Sequence, residues 1–151
     1  MVKKINLKTD ESIKEVYKFE KTTKLKRPLI GSEIQAGFPS PAQDYIEATL
    51  DLNEHLISHP AATFFVKVQG YSMINAGIYP DDMLIVDRAL EAASGKIIVA
   101  ILEGDLTVKR LLIENEKWFI VPENEGYESI EITEETDFSV WGVVTYAIHK
   151  V

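Results

Sequence analysis

The chain has 151 residues, 46% of them hydrophobic, with a net charge of −8 and no cysteine. That suits one compact domain plus an arm; it excludes disulfides, thiolate metal sites and cysteine nucleophiles. The charge is uneven: residues 1–36 carry nine Lys or Arg against five Asp or Glu, a net of +4, and residues 37–151 a net of −12. An acidic body repels a phosphate backbone, so sequence-specific DNA binding by the body is not expected. The longest apolar stretch, Ile97 to Leu102, falls far short of the roughly 18 residues of a membrane helix, and no apolar signal core follows the Lys-rich start. A soluble cytoplasmic protein without a membrane partner is expected.

Residues 1–27 are polar and lysine-rich. Ser12 with Glu15 resembles a capping box, while Val16 to Phe19 alternates as a short strand does; the segment is expected to be a flexible arm with weak local structure. From Pro28 to Pro41, Pro39 and Pro41 forbid a helix and push their neighbours into extended backbone. Ala36-Gly37 is the least hindered peptide bond there, in a segment that a protease cleft accepts as an added strand; a plain Pro/Gly linker has the same composition. Asp51 with Glu54 marks a short helix start, with Pro60 as its stop. His55 and His59 are four apart, a spacing open to a metal, but no third ligand is evident and no metal or cofactor is expected.

From Thr63 onward the pattern is β. Thr63–Val68, Met83–Asp87, Lys96–Leu102, Asp105–Leu112, Lys117–Val121 and Phe138–Ile148 read as strands, with Glu103-Gly104 as a hairpin turn. An acidic, turn-rich piece occupies 123–137. Several short strands with little helix imply a closed or two-layer β fold.

Gln69 to Gly77 follows the first of these strands. A serine on a tight turn beside Gly70 can expose its hydroxyl, with nearby N–H groups facing a developing oxyanion; an ordinary polar turn has the same residues. The nucleophile elbow fails because its fifth position is Ile74. No phosphate loop is present. His55, His59 and His149 are not obviously placed for a triad, which leaves serine with lysine. Such a lysine must be neutral: its pKa has to fall from about 10.4 to near 7, at a cost of about 4 kcal/mol, so it must be buried. Lys109 shares a strand face with Thr107 and Leu111. Arg110 cannot deprotonate. Lys67 has a similar setting, and spacing alone does not choose between the two lysines.

Three ordered pieces resemble the LexA/UmuD family of self-cleaving serine–lysine peptidases: Ala36-Gly37-Phe38-Pro39-Ser40-Pro41, Gly70-Tyr71-Ser72-Met73 with Gly77, and Thr107-Val108-Lys109-Arg110-Leu111. Asp44-Tyr45, Asp51-Leu52-Asn53, Met83 to Asp87 and Trp141 to Val144 extend the likeness from about Pro28 to the end. The resemblance implies Ser72 as nucleophile, Lys109 as general base, Ala36–Gly37 as the scissile bond, and the N–H groups of Ser72 and Tyr71 as oxyanion hole. It implies a mainly β, strongly bent and partly closed antiparallel fold with one short helix, and two parts: an arm, 1–36, removed by self-cleavage, and a peptidase and dimerisation domain, 37–151. The family forms homodimers, is cleaved under stimulation by RecA on single-stranded DNA, and in its accessory-protein branch joins UmuC, a translesion DNA polymerase, in the SOS response.

Three other readings remain. A LexA-type repressor needs a DNA-reading domain ahead of the scissile bond, where only 36 residues stand. A membrane signal peptidase needs an N-terminal anchor. A non-catalytic β scaffold would be inert.

Overall fold

A computed structural model of the chain describes residues 2–20, 24–30 and 46–151. The strands are β1 (Val2–Ile5), β2 (Ile13–Phe19), β3 (Lys26–Ile30), β4 (Ile46–Asp51), β5 (Thr63–Val68), β6 (Met83–Asp87), β7 (Ile97–Leu102), β8 (Asp105–Glu114), β9 (Lys117–Val121), β10 (Ile130–Ile132) and β11 (Phe138–Ile148). Nine form one antiparallel sheet in the order β1-β2-β5-β6-β11-β7-β8-β9-β10, and β3 pairs with β4 separately. Among the described residues the one α-helix, α1 (Leu52–Leu56), starts where Asp51 accepts a hydrogen bond from Asn53 N–H. The fold is the mainly β, single-helix architecture that the sequence suggests.

Local chemistry explains the tight connections. Glu103 and Gly104 both take positive φ, as do Asn115 and Glu116; two successive left-handed residues make the hairpin turn whose twist matches the strands it joins. β11 changes register between Val140 and Gly142 and again between Val144 and Tyr146, and such bulges bend a strand. Gly142 sits where a Cβ would come within 2.6 Å of Val86, so only glycine lets β11 lie this close to β6.

Across the bend, β2 meets β8. Ile13, Val16, Val66 and Val68 pack in one cluster with Val99, Leu106, Val108 and Trp141. Thr9, just ahead of β2, bridges to Leu106 of β8. A second cluster, Ile98, Ala100, Leu111, Ile120 and Val143, fills the other face of β7 and β8. Burial on this scale is worth about 25 cal/mol per Å² of apolar surface, the main force holding the curl.

Three expectations are corrected. The lysine-rich N-terminus is not a weakly structured arm: β2 pairs with β5 from Ile13 opposite Val68 to Lys18 opposite Phe64. Its buried residues Ile13, Val16 and Phe19 recur at every third position: the register shift between Ile13 and Glu15 lets Ile13 and Val16 join one cluster, while Phe19 packs in a separate cluster with Ile57 and Ile85 on the other face, and together these hide the period-two signature of a strand. Pro60 does not stop the helix, which ends at Leu56, but opens a 3₁₀ turn, Pro60–Ala62. The acidic piece 123–137 contains the short strand β10, on the outer edge of the sheet.

Candidate active site

β8 carries the expected base. Strand alternation puts Thr107, Lys109 and Leu111 on one face, and the Lys109 amine donates to Thr107 Oγ1 at 2.8 Å and to the Val108 carbonyl at 3.0 Å. Its side chain keeps 13% of its exposure, and the Asp10 carboxylate lies 4.0 Å from Nζ. Burial pushes the amine below its ordinary value of 10.5, with Asp10 and Glu11 partly opposing the shift. Lys67 differs: it keeps 31% of its exposure and lies 3.7 Å from Asp81. The environment thus separates two lysines that spacing left equivalent.

Ser72 follows Gly70, whose φ of +76° turns the chain sharply after β5. The residue is 6% exposed, while its neighbour Tyr71 stands 61% exposed. The turn is clamped to the segment after β9. Glu123 N–H donates to the Ser72 carbonyl at 2.7 Å, Asn75 N–H donates to the Glu123 carbonyl at 2.8 Å, and the Asn124 side chain donates to the Tyr71 carbonyl at 2.8 Å. Glu123 in turn accepts from the Arg110 guanidinium, and Arg110 stands opposite Val121 in the β8–β9 register. The serine turn is therefore anchored to the residue next to Lys109 on β8.

Among the described residues the Ser72 hydroxyl forms no hydrogen bond, and neither the Ser72 nor the Tyr71 N–H donates one. The Lys109 amine is held by Thr107 and Val108, not by Ser72. The expected scissile bond, Ala36–Gly37, and Asp44-Tyr45 lie outside the described residues.

The histidines have other work. His59 Nδ1 is hydrogen-bonded to the buried Asp87 carboxylate at 2.6 Å, and His149 Nδ1 to buried Asp82 at 2.7 Å, so each pins one end of β6. His55 lies in the last turn of α1. Among the described residues no three His, Asp or Glu side chains gather as a metal site, and no helix is long and apolar enough to cross a membrane.

Sequence reasoning missed three contributors: Glu123 and Asn124, which hold the serine turn, and Asp10, which faces the amine. Their only signal was to be polar residues in loops, and the contacts that matter are set by the curl of the sheet.

Residues 28–145 match the family model for S24-like peptidases. The chain belongs to the S24 peptidase family. It is 45% identical over 124 residues to protein ImpA of Salmonella typhimurium, covering 82% of this chain and 84% of that protein. It is 40% identical over 122 residues to protein MucA of Escherichia coli, covering 80% and 83%. To the LexA repressor of Aeromonas hydrophila it is 41% identical over 105 residues, which take in 70% of this chain but 50% of the repressor. The chain is thus a serine peptidase of the self-cleaving, SOS-response family, of the UmuD-like kind expected from its ordered motifs.

Proposed function

We propose that Ser72 and Lys109 form a catalytic dyad that cuts the chain's own Ala36–Gly37 bond. Neutral Lys109 takes the Ser72 hydroxyl proton as Oγ attacks the Ala36 carbonyl carbon, and the N–H groups of Ser72 and Tyr71 receive the oxyanion. The Lys109 ammonium returns its proton to the departing Gly37 amine. Water, deprotonated by the same amine, then hydrolyses the Ala36 ester. The observation that carries this reading is the buried Lys109 amine, its pKa lowered by desolvation, on a strand to which the serine turn is tied through Glu123 and Arg110.

The cut divides the chain into 1–36 and 37–151. In this proposal it occurs in the cytoplasm, is promoted by RecA filaments on single-stranded DNA, and leaves a homodimer that serves as accessory subunit to a UmuC-type translesion polymerase. The UmuD-like relatives support this over a repressor, since they are matched over more than four-fifths of their length and the LexA repressor over half. Purified protein incubated at alkaline pH yields a fragment whose N-terminal sequence begins at Gly37, and Ser72→Ala and Lys109→Ala each abolish it. Undiminished cutting in either variant would overturn the dyad.

A further inference from the structure

Lys8–Ser12 lie ahead of the residues that the family model matches, yet they run between the two proposed catalytic elements. β9 pairs with β8 only from Arg110 to Glu114. On that side, Asp105 to Lys109 have no strand partner among the described residues; the N-terminal segment lies there instead. Leu106 N–H donates to the Lys8 carbonyl at 3.0 Å, and Asp10 N–H donates to the Leu106 carbonyl at 2.9 Å. The Thr9–Leu106 bridge is parallel. Two residues further along the same edge, Val108 N–H donates to Ser12 Oγ at 3.0 Å. On the segment's other flank, Gln69 N–H donates to the Ser12 carbonyl at 3.0 Å. The Glu11 carbonyl lies so near Gly70 that a Cβ there would meet it at 3.0 Å.

An open row of backbone donors and acceptors is what an added strand binds. Here the row leads directly to Lys109, and the facing wall leads directly to Ser72. We propose that Lys8–Ser12 are a built-in competitor for this groove, and that the segment around Ala36–Gly37 enters it only when they are displaced. The inference rests on the Ser72–Lys109 reading.

The occupant acts twice. It covers the backbone groups that a substrate strand would use, and it sets the Asp10 carboxylate 4.0 Å from the Lys109 amine. The charged groups facing that amine are Asp10 and Glu11, both from this segment; Arg110, next on β8, is turned to Glu123 and the Gly95 carbonyl. A nearby carboxylate favours the ammonium, the form unable to accept a proton. Lys8 and Glu11 are exposed and Thr9 and Asp10 half-buried, whereas Ser12 and Ile13 are buried. Displacement therefore starts at residues 8–11 and must also release Ser12 from Val108 and Gln69, with Ile13 as the apolar anchor that stays.

The absence of cysteine allows a direct test. Lys8 and Asp105 each stand one residue before the parallel Thr9–Leu106 bridge, where neighbouring backbones come close enough for a disulfide, and their side chains already form an ion pair. In the full-length Lys8→Cys/Asp105→Cys protein, the disulfide-locked form yields no fragment beginning at Gly37 at alkaline pH, and reductant restores it. Equal cutting in the locked and reduced forms would overturn the proposal. Asp10→Pro, which removes the N–H donor to Leu106 and the carboxylate that holds Ser12 N–H and Oγ, cuts at least about ten-fold faster near pH 8, the change from losing about 1.4 kcal/mol of the segment's hold on the groove; an unchanged or slower rate would contradict it. If cutting persists in Ser72→Ala, the dyad itself is wrong. If cutting needs Ser72 but ignores the lock, only this inference falls.

Discussion

The Lys109 amine donates to the hydroxyl of Thr107, two residues earlier on the same face of β8, at 2.8 Å. This contact steadies an amine that burial has pushed towards its neutral form. Replacing Thr107 by valine keeps the shape and removes the acceptor. Self-cleavage should slow about five-fold at its high-pH plateau, since one hydrogen bond is worth about 1 kcal/mol. The midpoint of the pH–rate profile should also move down, because the ammonium loses a partner. A slower rate with an unmoved midpoint would point to packing alone.

The clamp on the serine turn is testable separately. Asn124→Ala removes the donor to the Tyr71 carbonyl from an exposed loop, at a stability cost of about 0.5–1.5 kcal/mol. Cleavage should fall several-fold, because misplacing a nucleophile by a fraction of an ångström is costly. Urea denaturation and fragment yield, measured on the same preparation, separate the two effects. A drop in rate no larger than in stability would remove Asn124 from the site.

Lysine burial also affects folding. The folded pKa of Lys109 lies below the unfolded 10.5, so between these values the unfolded chain binds more protons and stability rises with pH. Below that window the buried amine is a constant penalty. Lys109→Met should therefore be more stable than the natural chain at pH 7, and the gap should close as pH passes 10.5. A gap independent of pH would mean that the amine is not desolvated.

The proposed cut at Ala36–Gly37 would break one peptide bond and leave the pairing of β2 with β5, and Ile13 and Val16 in the core, to hold the fragment. The 1–36 fragment should co-elute with 37–151 on gel filtration and separate only in denaturant. Ile13→Ala should destabilise the intact protein by about 2–5 kcal/mol, as large-to-small core substitutions do. Prompt loss of the fragment in native buffer would show that the pairing is too weak to hold it.

Much of the body was legible because its strands follow simple rules. Thr63–Val68, Met83–Asp87, Lys117–Val121 and Phe138–Ile148 have the observed bounds, since apolar β-branched runs between turn residues have few alternatives. β2 was not: its apolar residues at 13, 16 and 19 fit a helical face as well as a strand with a register shift and cover on both faces. Lys109 was separable from Lys67 only by burial, and burial depends on how β8 curls against the N-terminal segment. Asp10 lies 99 positions from Lys109, so no local pattern could join them.

The account stands most directly on the protonation of one amine. Lysine labelled at Cε, followed by NMR across pH in the Ser72→Ala protein, reports the Lys109 titration without cleavage. The account predicts a pKa below 10.5 that coincides with the midpoint of the pH–rate profile of the natural chain. A Lys109 titration at or above 10.5, or one unrelated to that midpoint, would contradict it.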